Sequence, residues 1–112
     1  MKDQSLGRYE LKTEIFKALA HPMRLMLLDK IKERPWCVCE LAAEVGIDKS
    51  VASKHLSQLK SAGLIEDEKR GTLVEYHLLA PCVLELAACA EAAIVESRRK
   101  HLEMITGKQR AG

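Results

Sequence analysis

The chain has 112 residues, 18 basic and 16 acidic, for a formal charge of +2. That length suits one domain with a modest core and is too short for two. The near balance of charge excludes a bulk polycation, so any nucleic-acid surface must be local.

No apolar run approaches membrane-spanning length, and Met1-Lys2-Asp3-Gln4 does not open a signal peptide. A cytoplasmic chain with no membrane partner is therefore expected, its four cysteines held as thiols rather than structural disulfides. One Phe, one Trp and two Tyr leave the core to aliphatic side chains, and small helical domains of this kind often complete their core by dimerising.

Residues 1–8 are polar and read as a flexible N-terminus, 9–105 as a single domain, and 106–112 as a flexible C-terminal tail. Leu11, Ile15, Phe16 and Leu19 recur at helical spacing, giving a first helix to about Ala20. His21-Pro22 breaks the chain and restarts it, because proline suits the first turn of a helix. The second helix carries Met23, Leu27, Leu28 and Ile31 and ends near Lys32, before Arg34-Pro35-Trp36. Trp36 to Val38 is expected to run extended, with Trp36 a packing residue, before a third helix that reaches Val45.

Asp48 to Ile65, reading DKSVASKHLSQLKSAGLI, is the most informative stretch. Val51, Ala52, Leu56, Leu59 and Ala62 form an apolar face, Asp48 stands at the N-cap, and Ala62-Gly63 supplies the stop. The other face carries Lys49, Ser50, Ser53, Lys54, His55, Gln58 and Lys60, and no acid occurs from Lys49 through Ile65. Lysines of such a face meet phosphates, and Ser, Gln and His side chains reach base edges. A solvated helix face would carry the same charges, but a third helix joined to this one through Gly46-Ile47-Asp48 makes a helix-turn-helix.

Leu64–Lys69 and Leu73–Leu79 flank Arg70-Gly71-Thr72 and read as a hairpin with Lys69 and Arg70 at its tip, where a wing would touch DNA phosphates. From Pro81 to about Ile105 a last helix displays Leu84, Leu86, Ala87, Ala90, Ala93, Ile94 and Leu102, more apolar surface than a solvated helix needs, and is expected to pair with its symmetry mate. The fold class is mainly α with a β-hairpin wing: a winged helix-turn-helix of five helices, homodimeric through its first and last helices.

Cys37-Val38-Cys39-Glu40-Leu41 opens the third helix. Cys37 occupies the position that a Ser or Thr takes in a capping box with Glu40, yet a thiol is a weak acceptor, so capping is a poor reason for its presence. A helix N-terminus favours thiolate over thiol, which makes Cys37 and Cys39 better ligands and nucleophiles. Cys82 and Cys89, seven residues apart on the last helix, are separated by about 10 Å along its axis, too far to share one ion within one chain. Cys89 could equally be a small core side chain in an alanine-rich stripe. His21, His55, His77 and His101 show no metal-ligand spacing; His55 falls on the reading face and the others are read as structural.

HPMRLMLLDKI, CVCELA, VGIDKSVASKHLSQLKSAGLI and RGTLVEYHL together resemble the ArsR/SmtB family of winged-helix repressors over roughly Lys17 to Leu79. The resemblance implies a homodimer that binds double-stranded operator DNA with no cofactor and is released by metal, metalloid or thiol chemistry. It places Lys49, Ser50, Ser53, Lys54, His55 and Gln58 on the DNA-reading helix and Arg70 on the wing. CVCEL is similar to the CVCDL motif that binds trivalent arsenic in arsenical repressors of the family, although Ala42 stands where that motif usually has a third cysteine. Residues 1–36 hold no cysteine for a cadmium- or lead-type arm. Only Cys82 and Glu96 fall on the zinc-type positions of the last helix.

The expected metal ligands are thus Cys37 and Cys39, completed by Cys89 or Cys82, with As(III) or another thiophilic ion as inducer. The alternative in the same fold is a redox or reactive-sulfur switch that joins Cys37 or Cys39 to a cysteine of the last helix through a disulfide or sulfur bridge. A thiol oxidoreductase would want a βαβ pattern or a catalytic base near the Cys-x-Cys pair, and neither occurs, so no enzyme is expected. A winged helix that binds only protein would differ by failing to hold promoter DNA at low salt.

Overall fold

A proline that starts one helix and glycines that stop two others set the course of the chain. The computed structural model describes residues 3–107. Helix α1 (Asp3–Leu19) leads to α2 (Pro22–Glu33), strand β1 (Trp36–Cys37), α3 (Val38–Val45), α4 (Lys49–Ser61), strands β2 (Ile65–Arg70) and β3 (Leu73–Leu78), and α5 (Cys82–Thr106). These are the five helices and the hairpin wing that the sequence indicated. By packing, the chain groups into two units, Met1–Pro81 and Cys82–Gly112.

Helix α1 begins at Asp3, upstream of the apolar spacing that starts at Leu11; apart from Gly7, the intervening residues are compatible with a helix. Of the expected flexible ends, residues 1–2 and 108–112 lie outside the described residues. Pro22 occupies the first turn of α2, and the His21 ring caps that helix, its Nδ1 accepting the Met23 N–H at 3.1 Å. At the end of α3, Gly46 takes φ 77°, and the Gly46 and Ile47 N–H groups both donate to Ala42. At the end of α4, Gly63 takes φ 84° while its N–H donates to Lys60 O and that of Leu64 to Leu59 O, the paired bonds of a Schellman stop.

The core of the first unit is aliphatic. Leu27 and Leu28 of α2, Leu41 of α3, and Ala52, Leu56 and Leu59 of α4 are wholly buried, and Ile65 nearly so. Ala52, Leu56 and Leu59 lie at i, i+4 and i+7 and make one stripe. Val51, expected on the same face, sits a residue to the side of that stripe and is exposed. Ala62 is half-buried at its end. Among the described residues no polar or charged side chain is buried, so specificity in this core comes from shape alone.

The sheet runs β1-β3-β2, antiparallel throughout. The extended stretch expected at Trp36 is more than a connector, since Trp36 pairs with Tyr76 and Cys37 with Glu75. Trp36 is buried, its Nε1–H donates to Lys30 O at 2.8 Å, and the Arg34 guanidinium lies 3.6 Å from its ring centroid, which bears out a packing role.

The second unit is α5. Its Leu86, Ile94, Val95, Leu102 and Ile105 are exposed, and its last third is braced by Arg99, which pairs with Glu96 and Glu103. No described helix is long and apolar enough to cross a membrane.

Candidate nucleic-acid interface and thiol pair

Helices α3 and α4 pack against each other across the Gly46-Ile47-Asp48 turn, so the apolar stripe of α4 faces inward and its polar residues face out. Lys49, Ser50, Ser53, Lys54 and Gln58 are all exposed, and their side chains make no hydrogen bond or ion pair to another described residue. A row of uncommitted hydroxyls, amide and cations is what reading a groove requires. Asp48 stands at the N-cap as expected, but its side chain makes no capping bond. It is exposed, so water can satisfy the first N–H groups of α4.

His55 and Lys60 differ from the rest of that face. The His55 ring is half-buried against His21, with centroids 4.4 Å apart and planes tilted by 57°. Burial, then His21, then Arg24 hold its pKa below the usual histidine value. Lys60 reaches across to Asp67 of β2 at 3.0 Å, tying α4 to the wing. That contact, with a hydrogen bond as its largest effect, holds the Asp67 carboxyl below its ordinary pKa.

The wing turns through Gly71 at φ 63°, with Arg70 paired to Leu73 across a two-residue loop. Its tip is basic, as read from Lys69 and Arg70, but Arg70 is already engaged: its Nε lies 3.1 Å from Glu75 Oε1. Glu66, Asp67, Glu68 and Glu75 outnumber the two cations on these strands. His77 Nε2 lies 3.0 Å from Glu68 Oε1 without the alignment of a hydrogen bond.

The thiol pair straddles the start of α3. Cys37 is the N-cap, buried, and makes no side-chain capping bond, in keeping with a thiol's poor accepting power. Cys39 is exposed on the first turn. Cys82 and Cys89 are exposed free thiols on α5. Among the described residues, no three His, Cys, Asp or Glu side chains gather into a group that could hold a metal ion.

Spacing within the sequence did not single out His21 and Arg24 as neighbours of the reading face. Arg24 donates from Nε to Ala18 O at 2.6 Å and from Nη2 to Lys17 O at 3.3 Å, so it covers the C-terminal end of α1 beside α4. The available signal was His21-Pro22, where a ring nitrogen can cap the helix that proline starts.

Comparison with known proteins bears directly on this geometry. Residues 21–67, from the His21 cap through the helix-turn-helix to β2, match the model of the bacterial regulatory protein, arsR family. The uncharacterized HTH-type transcriptional regulator Rv0081 of Mycobacterium tuberculosis is 38% identical over 77% of this chain and 76% of its own.

The chain belongs to the ArsR family. It is a DNA-binding transcriptional regulator and not an enzyme. The crystal structure of Rv0081 superposes with a TM-score of 0.71 at 35% identity, covering 84% of this chain and 95% of that one. The winged helix-turn-helix domain Mb0332 of Mycobacterium bovis, a homodimer described as a possible ArsR-family regulator, gives 0.77 at 28% identity over 100% and 97% of the two chains. The AntR antimony-specific transcriptional repressor gives 0.66 at 27% identity over 88% and 86%.

Proposed function

We propose that this ArsR-family member is a cytoplasmic, homodimeric repressor that leaves its operator when As(III), or a similar thiophilic ion, is captured by the thiolates of Cys37 and Cys39. The observation that carries the reading is the position of Cys37, a thiol at the N-cap of α3 that caps nothing, two residues before an exposed Cys39. The structural relative whose description names antimony, a close chemical cousin of arsenic, supports a thiophilic effector. The homodimer is supported by the homodimeric Mb0332 domain and by exposed apolar side chains on α1 (Leu6, Tyr9, Leu11, Phe16) and, separately, on α5.

Release follows from packing. Helix α3 rests on α4, so drawing Cys37 and Cys39 around an ion moves the support of the reading helix. In a dimer the spacing of two reading helices must match two half-sites, and a small misplacement weakens both. Cys37 is also paired through its backbone with Glu75 of β3, which gives the same event a route to the wing.

The test is anisotropy of labelled duplex from upstream of the protein's own gene, saturated with reduced protein and titrated with arsenite in the absence of oxidant. Micromolar arsenite should release the DNA, and Cys37→Ser or Cys39→Ser should abolish the release while leaving binding intact. Serine replacement of Cys82 and of Cys89, one at a time, reads whether either α5 thiol is required. Binding that ignores arsenite but is released by polysulfide or peroxide would sink the metalloid reading in favour of thiol oxidation.

A further inference from the structure

A cluster of basic groups beside the reading helix shares a concavity with no carboxylate among its lining residues. Arg24, Lys54, His55, Ser57 and Gln58 line one concavity, and His21 stacks on His55 at its edge. Neither α2 nor α4 has an acid in its first turn. From α1, Glu14 and Lys17 face Arg24 and Gln58 across the adjoining hollow, and they lie within 3.6 Å of each other. Glu14 is thus the one carboxylate lining either hollow, and it already has a cation.

The two rings are not equivalent. His21 Nδ1 accepts the Met23 N–H, so the neutral His21 ring carries its proton on Nε2 and presents an N–H outward. His55 has no such commitment. In the free protein burial and then the neighbouring His21 and Arg24 hold its pKa below the usual histidine value, the direction expected of a base among other bases. An anion placed over the concavity reverses that balance, since every group that repelled a proton on His55 would then share a counter-ion.

We propose that His21, Arg24, Lys54 and His55 form a proton-linked clamp for a backbone phosphate of the bound DNA. One solvent proton adds to the free ring nitrogen of His55 as the phosphate seats, and no other bond is made or broken. Arg24, fixed by its two bonds to the carbonyls at the end of α1, holds the floor of the clamp. Lys54 closes it as a mobile cation, and His21 donates from Nε2. The clamp reads no base; it sets the register of α4 on the duplex, and it makes DNA affinity depend on pH.

The clamp rests on DNA binding alone and is independent of which effector releases the protein. It is tested with reduced, metal-free protein and a labelled duplex from upstream of its own gene, at fixed salt, from pH 8.0 to 5.5. Affinity should rise on acidification by about tenfold or more across that range, as linkage to a proton taken up per subunit requires. His55→Gln should lose the rise, its affinity staying flat from pH 8.0 to 5.5 whatever its level. His21→Asn keeps a good N-cap but lacks the ring, and should flatten part of the slope without loss of helix content. Lys54→Gln should lower the salt dependence by about 0.9 per subunit on a logarithmic scale and leave sequence preference unchanged.

Should His55→Gln fail to bind at any pH, the histidine ring resonances of the wild type decide the matter. The His55 titration midpoint should move up when the duplex is added. A flat wild-type profile, an unchanged slope in His55→Gln, or a midpoint indifferent to DNA would each overturn the clamp.

Discussion

The reading helix and the wing both stand ready to meet DNA, yet they are built on opposite terms. Helix α4 has three buried side chains on one face and, on the other, exposed Lys49, Ser50, Ser53, Lys54 and Gln58 tied to nothing else in the described chain. The wing has only Ile65 buried, and its cations are surrounded by Glu66, Asp67, Glu68 and Glu75. At its tip Arg70 is paired with Glu75 before any phosphate arrives. On this contrast we propose that affinity and base recognition are concentrated in α4, while the wing contributes chiefly at its tip.

The largest expected effect separates the two regions by stability. Leu56 is wholly buried, so Leu56→Ala should destabilise the fold by about 2–5 kcal/mol, seen as a lower urea midpoint with unchanged slope. Leu73→Ala, on the exposed start of β3, should move that midpoint little.

Next comes base reading. Gln58→Ala should cost about 1–3 kcal/mol of discrimination between the operator and a scrambled duplex, with folding unchanged. If discrimination survives in Gln58→Ala and Ser53→Ala alike, the reading face lies elsewhere and the contrast between helix and wing fails.

Arg70 sharpens the comparison. Lys49 is uncommitted and Arg70 is paired, so Lys49→Gln should weaken DNA binding more than Arg70→Gln does at the same salt. Glu75→Gln removes a negative charge and leaves Arg70 only its longer contact with Glu68 at 4.0 Å, and should tighten binding a little. An equal or larger loss in Arg70→Gln would show the wing to be a full partner.

The smallest effect concerns the bridge between the regions. Asp67 is held below its usual pKa by Lys60, so its contribution to stability is present above the ordinary carboxylate range and is lost as pH falls through its folded value. The group is exposed, and the contribution is correspondingly small. Urea midpoints of Asp67→Asn and wild type should therefore differ slightly at pH 6 and converge in strong acid.

Local chemistry determined much of this protein from sequence alone. Proline at position 22, glycines at 46, 63 and 71, and the i, i+4, i+7 stripe of Ala52, Leu56 and Leu59 act within a turn or two of chain, so helix ends, the hairpin and the reading face were legible. The same locality marked Cys37 as a thiol in a capping position, and the structure shows it capping nothing. Val51 was misplaced because an apolar residue beside a stripe looks, in one dimension, like a member of it.

What the sequence could not decide were pairings between residues far apart in the chain. Strand β1 finding β3, Lys60 reaching Asp67, Arg24 covering the end of α1, and His21 stacking on His55 each depend on how finished elements pack. Their spacings carry no periodic signal, since the contacts come from different elements brought together only by burial of the shared aliphatic core. Tertiary packing thereby turned a cap residue and a reading residue, 34 positions apart, into one pair of rings.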